Sequence, residues 1–494
     1  MKEGFVDQRG AIDFCEERGE LLRISKEVDP IYEVASITKS FDGGPALLFN
    51  RIKGYPGWKA MTNLMSRRER IAHYFNSTVE KLPQRIIEGV SQPIPPRVVK
   101  GGPCQEVVID QGIDILRYLP VIKQTSIDIG PVISGGVVMV QVPEEIAKET
   151  LSFNLSFHRL NPGLGRDWLS LATLYNRHFL EVLHFHKERK EEYPITINLG
   201  LSPALNVVAS GGAFPQIRPM GSDDLGVAGH LQGAPVDICH ARTVNGYALA
   251  NAEIVIEGKV IYEEKITEIP IQEPALRGKG AERPYFFPEF LGYEGLADRA
   301  FKVQVTAITH RKDPVYYTPL ADSFESSHLG ALISEASIYH TCKNTSPNIF
   351  INCHIPDSMR GILGAVIQCR ITHEMQQGIS QNLISAAFGA VKDLKWVIAV
   401  DEDVDIYDPS DVLWALTVRT RADEDVNMMK GAGIGNLFAT KWSVDTTVPV
   451  SEKWRQKRPR FEPVDLAKWF TEEEISKAFS LMSEGARSIS KRRV

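Results

Sequence analysis

The middle of the chain is dominated by short apolar runs rich in β-branched residues. They are GGVVMVQV from Gly135, PITINLGL from Pro194, PVDICHART from Pro235 and AEIVIEGKVIYEE from Ala252. Gly, Pro or charged residues bound them, so each predicts a strand. AFKVQVTAITHR, ending at Arg311, predicts one more. Between the first two runs lies RDWLSLATLYNRHFLEVLHFHKERKE, from Arg166. There Leu169, Leu171, Leu174, Phe179 and Leu183 recur at a spacing that predicts one long helix. Many strands and one long helix suggest a barrel or closed sheet rather than a doubly wound fold.

Further on the pattern alternates. ISEASIYHTC from Ile333 predicts a helix, PNIFINCHI and GAVIQCRI predict strands, EMQQGISQNLISAAFGAVKDL from Glu374 a helix, and WVIAVDEDVDI from Trp396 a strand. That is an α/β pattern with parallel pairing. In TEEEISKAFSLMSEGA, Thr471 and Glu474 fit a capping box, and Ile475, Phe479 and Met482 make one apolar face. Such a helix can dock on a partner subunit or on its own core. Before about residue 115 short helices and strands mix, and SQPIPPRVVKGGPCQ from Ser91 reads as an irregular connection.

A chain of 494 residues is too long for one compact core, so two or three domains are expected. The formal net charge of -6 offers no basic stripe for nucleic acid. Lys491, Arg492 and Arg493 read as a solvated tail. The six cysteines form no Cys-x-x-Cys pair, which speaks against a structural zinc site or a redox dithiol. The first twenty residues are charged every few positions, unlike a signal peptide. No apolar run reaches the roughly 18 residues of a membrane helix. A cytoplasmic address is expected.

The chain has no Walker-type phosphate loop, no Gly-x-Ser-x-Gly elbow and no His-Glu-x-x-His. Five segments hold polar residues in apolar surroundings. In SFNLSFHRL, Asn154, Ser156 and His158 share one face of a strand, and Leu155, Phe157 and Arg159 the other. From the residues alone, a half-buried strand with an exposed arginine is the plainer reading. Asn176, Arg177 and His178 fall on the predicted helix, where a surface histidine is the plain alternative. In PMGSDDLGVAGHLQG, either Asp223 or Asp224 suits a helix N-cap. GAERPYFFPEFLGYEG sets Glu282 and Glu289 among Tyr285, Phe286, Phe287 and Phe290, in a segment poor in helix and strand signals. Desolvation there would raise a carboxyl pKa, as a proton donor needs; a surface loop with ordinary glutamates is the alternative. In GNLFATKWSVDTTVP, Lys441 could meet a phosphate or simply be solvated.

In this order the segments resemble the UbiD family of decarboxylases. The resemblance runs from EVDPIYEVASI through GPALLFNRIKGYPG to FEPVD at Asp465, and the acidic stretch VDEDVDIYDPSDVLWALTVR from Val400 is similar to the members that decarboxylate protocatechuate and gallate. It implies an α+β multidomain fold of three parts: an N-terminal α+β domain over 1–115, a split β-barrel flavin domain over 116–318, and a C-terminal α/β oligomerisation domain over 319–494. It implies prenylated FMN as cofactor, with Mn2+ (or Mg2+) and K+ beside it and a UbiX-type flavin prenyltransferase as supplier. Asn154, His178 and Asp224 match the family's metal ligands, with Asp where Glu is usual. Ser156, Phe157, His158, Arg159, Arg177, Arg218, Pro219, Met220 and Lys441 fall where the cofactor is lined. Arg159, Glu282 and Glu289 match the catalytic trio, although the two acids are two residues further apart than usual. His328, with Phe286 and Phe287, would line the substrate pocket. The implied reaction is reversible, non-oxidative decarboxylation of a small aromatic or heteroaromatic acid, releasing CO2, in a homodimer or homohexamer. Two alternatives stand beside it: a non-catalytic subunit of a multi-subunit carboxylase, and a plain FMN oxidoreductase, for which no nicotinamide fingerprint is visible.

Overall fold

The computed structural model describes residues 5–149, 151–173, 177–211, 214, 216–269, 283–434, 437–459, 461–462 and 464–482. The chain divides into two compact units, Met1–Ser337 and Ile338–Val494.

The first unit is built on an antiparallel sheet. Its order is Phe153–Phe157, Val137–Gln141, Tyr193–Leu199, Ile254–Thr267, Arg299–His310, Trp168–Ala172, Arg159–Asn161, and Val107–Ile109 pairs to one side with Arg299–His310. The two end strands are neighbours in sequence, parted only by His158. In a flat sheet six gaps of about 4.8 Å would separate them by about 29 Å, whereas two residues span at most about 7 Å. The sheet therefore curls into a half-barrel whose two edge strands meet at His158, in line with the barrel or closed sheet expected from the strand-rich middle of the chain. Leu169, Leu171, Ile195, Ile197, Ile256 and Val303 fill one side of it. A smaller four-stranded sheet, Leu21–Ile24, Ala46–Phe49, Lys59–Thr62 and Val315–Tyr317, joins the N-terminal residues to the strand that follows His310.

Two expectations change. The long helix from Arg166 is a strand, Trp168–Ala172, followed by a shorter helix, His178–Arg189. Leu169 and Leu171 lie two apart, which is strand spacing, and both are fully buried. The aromatic segment around Glu289 is a hairpin, Tyr285–Pro288 with Glu294–Leu296. Gly292 closes its turn, donating to the Glu289 carbonyl at 3.0 Å. The φ of +82° at Gly292 is a left-handed conformation that glycine takes at little cost.

The second unit holds a five-stranded sheet ordered Phe350–His354, Gly364–Cys369, Trp396–Asp401, Leu437–Asp445, Val426–Ile434, with parallel pairing at its centre. The acidic stretch after Val400 is ion-paired. Asp401 accepts from Lys453 at 2.6 Å, Arg419 grips Asp403, and Arg458 grips Asp411. The capping box at Thr471 and Glu474 is present. Among the described residues no helix is long and apolar enough to cross a membrane.

Candidate active site

Arg159 starts the strand at one lip of the half-barrel and reaches two carboxylates. Its Nε and Nη2 donate to Glu268 at 2.7 and 2.6 Å, and its Nη1 donates to Glu289 at 2.8 Å. The guanidinium carbon lies 4.9 Å from the centre of the Phe286 ring. Glu268 directly follows the long Ile254–Thr267 strand and is fully buried. The Asp298 amide donates to its carboxylate at 2.8 Å, and Asn161 Nδ2 donates to its carbonyl at 2.6 Å. Burial pushes the Glu268 carboxyl up, and Arg159 only partly offsets it. Glu289 shows the same balance: burial raises it, Arg159 opposes, and the net direction is upward. Its side chain stays 37% exposed, so it can meet a ligand. Gly295 makes room for it, since a Cβ there would fall 2.7 Å from Glu289 Cγ.

A second group gathers around the other lip. Asp224, in the first turn of the Asp224–Gln232 helix, accepts from Leu155 N at 2.8 Å and from Asn154 Nδ2 at 3.2 Å. It also pairs with the buried guanidinium of Arg218. Asn154 Oδ1 is buried and without a hydrogen-bond partner among the described residues. His178 starts the helix that follows the Trp168–Ala172 strand. Burial lowers its pKa, against the nearby charge of Asp224. Asp223 is the N-cap, accepting from Leu225 N and Gly226 N, so one of the two aspartates caps and the other is left for the site. Among the described residues no three His, Cys, Asp or Glu side chains are placed so that they could hold a metal ion.

Three family domains match: the 3-octaprenyl-4-hydroxybenzoate carboxy-lyase N-terminal domain over residues 12–90, its Rift-related domain over 97–322 and its C-terminal domain over 327–441. The chain belongs to the UbiD family of carboxy-lyases. Gallate decarboxylase of Lactiplantibacillus plantarum is 31% identical over 473 residues, covering 89% of this chain and 93% of that protein. The UbiD-class enzyme HmfF of Pelotomaculum thermopropionicum, solved with FMN, superposes with a TM-score of 0.83 at 30% identity, over 94% of this chain and 100% of that one. The apo 3,4-dihydroxybenzoic acid decarboxylase of Enterobacter cloacae gives 0.84 at 29%, over 96% and 100%.

The other expected residues of this UbiD protein fall as follows. His158 sits in the seam between the two edge strands. Its Nδ1–H donates to the Ala172 carbonyl at 3.0 Å and its Nε2 accepts from the Ser156 hydroxyl at 2.8 Å. Burial pushes its pKa down to about 4, so it is neutral. Phe157 is half-buried against the core, and Arg177 takes the N-cap place before His178. Pro219 and Met220 follow Arg218, half-buried. Phe286 and Phe287 pack with Val132, Ile269 and Ala297. His328 turns Nδ1 to the Met65 carbonyl at 3.1 Å. Lys441 belongs to the second unit, where it is buried and donates to the Lys392 carbonyl at 2.7 Å. Glu282 lies outside the described residues. Glu268 was not foreseen. Glu268-Ile269-Pro270 carries the same Glu-x-Pro signal as Glu282-Arg283-Pro284, but its distance from Glu289 hid it.

Proposed function

We propose that this UbiD-family carboxy-lyase decarboxylates an aromatic or heteroaromatic acid with prenylated FMN, using Glu289 as proton donor. The supporting observation is Arg159 bound at once to a buried and to an accessible glutamate. The accessible one, with its raised pKa, holds a proton closer to neutral pH than an ordinary glutamate does. It would deliver that proton to the ring carbon that has lost CO2 and regain one from water. Arg159 opposes the burial that raises the Glu268 pKa and offers positive charge to the incoming carboxylate. Phe286, whose ring lies against the guanidinium, keeps water from that flank. When bound, prenylated FMN supplies the electron sink that no side chain offers.

The residues fit a metal-anchored cofactor. Asn154 Oδ1 is left over once Nδ2 serves Asp224, His178 is held neutral with a lone pair to give, and Asp224 brings negative charge. Amide oxygen, imidazole and carboxylate suit Mn2+ or Mg2+. Arg218 adds a buried positive charge that suits a phosphate. K+ beside the metal, supply by a UbiX-type prenyltransferase and a cytoplasmic address belong to the same reading. Assembly into a homodimer or homohexamer is supported by the exposed Trp454, Trp469, Phe470 and Leu481 of the second unit. A non-catalytic subunit would have no need to hold a half-buried arginine between two glutamates.

Protein purified from cells with and without a flavin prenyltransferase tests the cofactor. Mass spectrometry should find prenylated FMN only in the first; unmodified FMN alone in both would overturn the assignment. His178→Ala, from the same co-expressing cells, should lose most of its manganese by elemental analysis and most of its flavin by absorbance. A wild-type flavin content would remove His178 from the ligand set.

A further inference from the structure

The hairpin that carries Glu289 is held from two sides. Arg159 holds one side, through Glu289 and through the Leu296 carbonyl at 3.3 Å. The other side is held at its first residue. Tyr285 Oη donates to Asp128 Oδ1 at 2.8 Å, and the Ile129 amide donates to the Phe286 carbonyl at 3.2 Å. Asp128 is buried and saturated. Its Oδ2 accepts the Gln124 and Thr125 amides at 2.9 Å each, and its Oδ1 also accepts the Thr125 hydroxyl. A carboxylate has about four acceptor positions. All are taken, so Asp128 is fixed to its own loop and the Tyr285 hydroxyl can only donate to it. The loop is in turn tied to the body, since Tyr32 N donates to the Lys123 carbonyl at 3.0 Å and Ala321 N to Gln124 Oε1 at 3.3 Å.

We infer that Tyr285 and Asp128 form a latch that positions the proton donor: by pinning the first strand of the hairpin to the 124–128 loop, they set where Glu289 stands over Arg159. Neither residue touches the reacting atoms; both act through the hairpin. The inference rests on the reading of Glu289 as proton donor. It explains why a tyrosine opens a segment whose next two residues, Phe286 and Phe287, are apolar and buried. Packing needs only a ring at that position, whereas the latch needs the hydroxyl.

The test is Tyr285→Phe, which keeps the ring and removes the hydroxyl. Amide hydrogen exchange of the full chain should rise at least about tenfold in residues 285–296, the factor that one hydrogen bond to a charged acceptor commands. Exchange in the Ile254–Thr267 and Arg299–His310 strands should not change. On the acid that the wild type turns over, kcat should fall about ten- to a hundredfold, as for a reacting group misplaced by about 1 Å, with KM changed less than about twofold. Asp128→Asn should fall in the same direction, and the double variant should be no worse than the more damaged single one, because both act through one contact. Unchanged exchange in Tyr285→Phe overturns the latch. Raised exchange with an unchanged kcat overturns its positioning role. Glu289→Gln run in parallel separates the two ideas: full activity there would sink the proton-donor reading, while an inactive Glu289→Gln beside a wild-type-like Tyr285→Phe would sink the latch alone.

Discussion

Glu289→Gln is expected to lower kcat by about 10²- to 10⁴-fold, the usual contribution of a positioned general acid. The substitution is nearly isosteric. A glutamine carbonyl can still accept from Arg159 Nη1, which now reaches Glu289 at 2.8 Å. The pair is more than a third exposed on the glutamate side, so its loss should change stability by less than about 1 kcal/mol. On the proposed reading flavin and metal stay bound, because the residues proposed to hold them are Asn154, His178, Asp224 and Arg218. What disappears is the acidic proton that the proposed reading assigns to the substrate carbon. The wild-type pH profile should carry the same signature: the Glu289 pKa is raised, so the protonated form persists above the ordinary glutamate range and kcat falls as pH climbs through the raised value. Steady-state rates across pH, with absorbance of the bound flavin as control, check both points. Full activity of Glu289→Gln would require another donor.

Arg159→Leu should be the most destabilising single change at this site. It leaves Glu268, which has no exposed surface, as a buried carboxylate without its partner. Breaking a buried pair from one side costs about 3–5 kcal/mol. The effect should depend on pH in a stated direction. Burial already raises the Glu268 pKa above its unfolded value, and without Arg159 nothing charged opposes it. A raised folded pKa means that the native state binds the extra proton. Stability is therefore fully kept below the unfolded pKa and lost as pH rises through the folded one. Urea titrations of Arg159→Leu should show a small deficit near the unfolded carboxylate pKa and a large one above neutrality. A second substitution, Glu268→Leu on the Arg159→Leu background, should recover much of the stability but none of the activity. Equal deficits at all pH values would contradict a buried Glu268 with a raised pKa.

The strands of the half-barrel were legible because burial on the curled sheet selects β-branched runs, and Ile254–Thr267 and Arg299–His310 stand out as such. The segment after Arg166 was not, because Leu169 and Leu171 continue smoothly into the apolar residues of a real helix, and a short strand beside a helix mimics one long helix. The hairpin around Glu289 was hidden by Pro284 and Pro288, which weaken any strand signal. Glu268 was missed for a spatial reason. It lies 109 residues from Arg159, and only the curl of the sheet brings the end of one strand to the start of another. The Asn154–Asp224 contact spans 70 residues and was reached through the family resemblance, not through any local pattern. The acidic stretch after Val400 was conspicuous in sequence, yet Arg419, Lys453 and Arg458 neutralise it as a structural network.

The most direct test of the central claim is release of labelled CO2 from carboxyl-labelled aromatic acids, hydroxybenzoates and heteroaromatic acids included, by protein co-expressed with a flavin prenyltransferase. The account predicts release from at least one acid by the wild type. It predicts at least about a hundredfold slower release from Glu289→Gln and none from protein made without the prenyltransferase. No release from any acid by protein verified to hold prenylated FMN and metal, or equal release by Glu289→Gln, would contradict it.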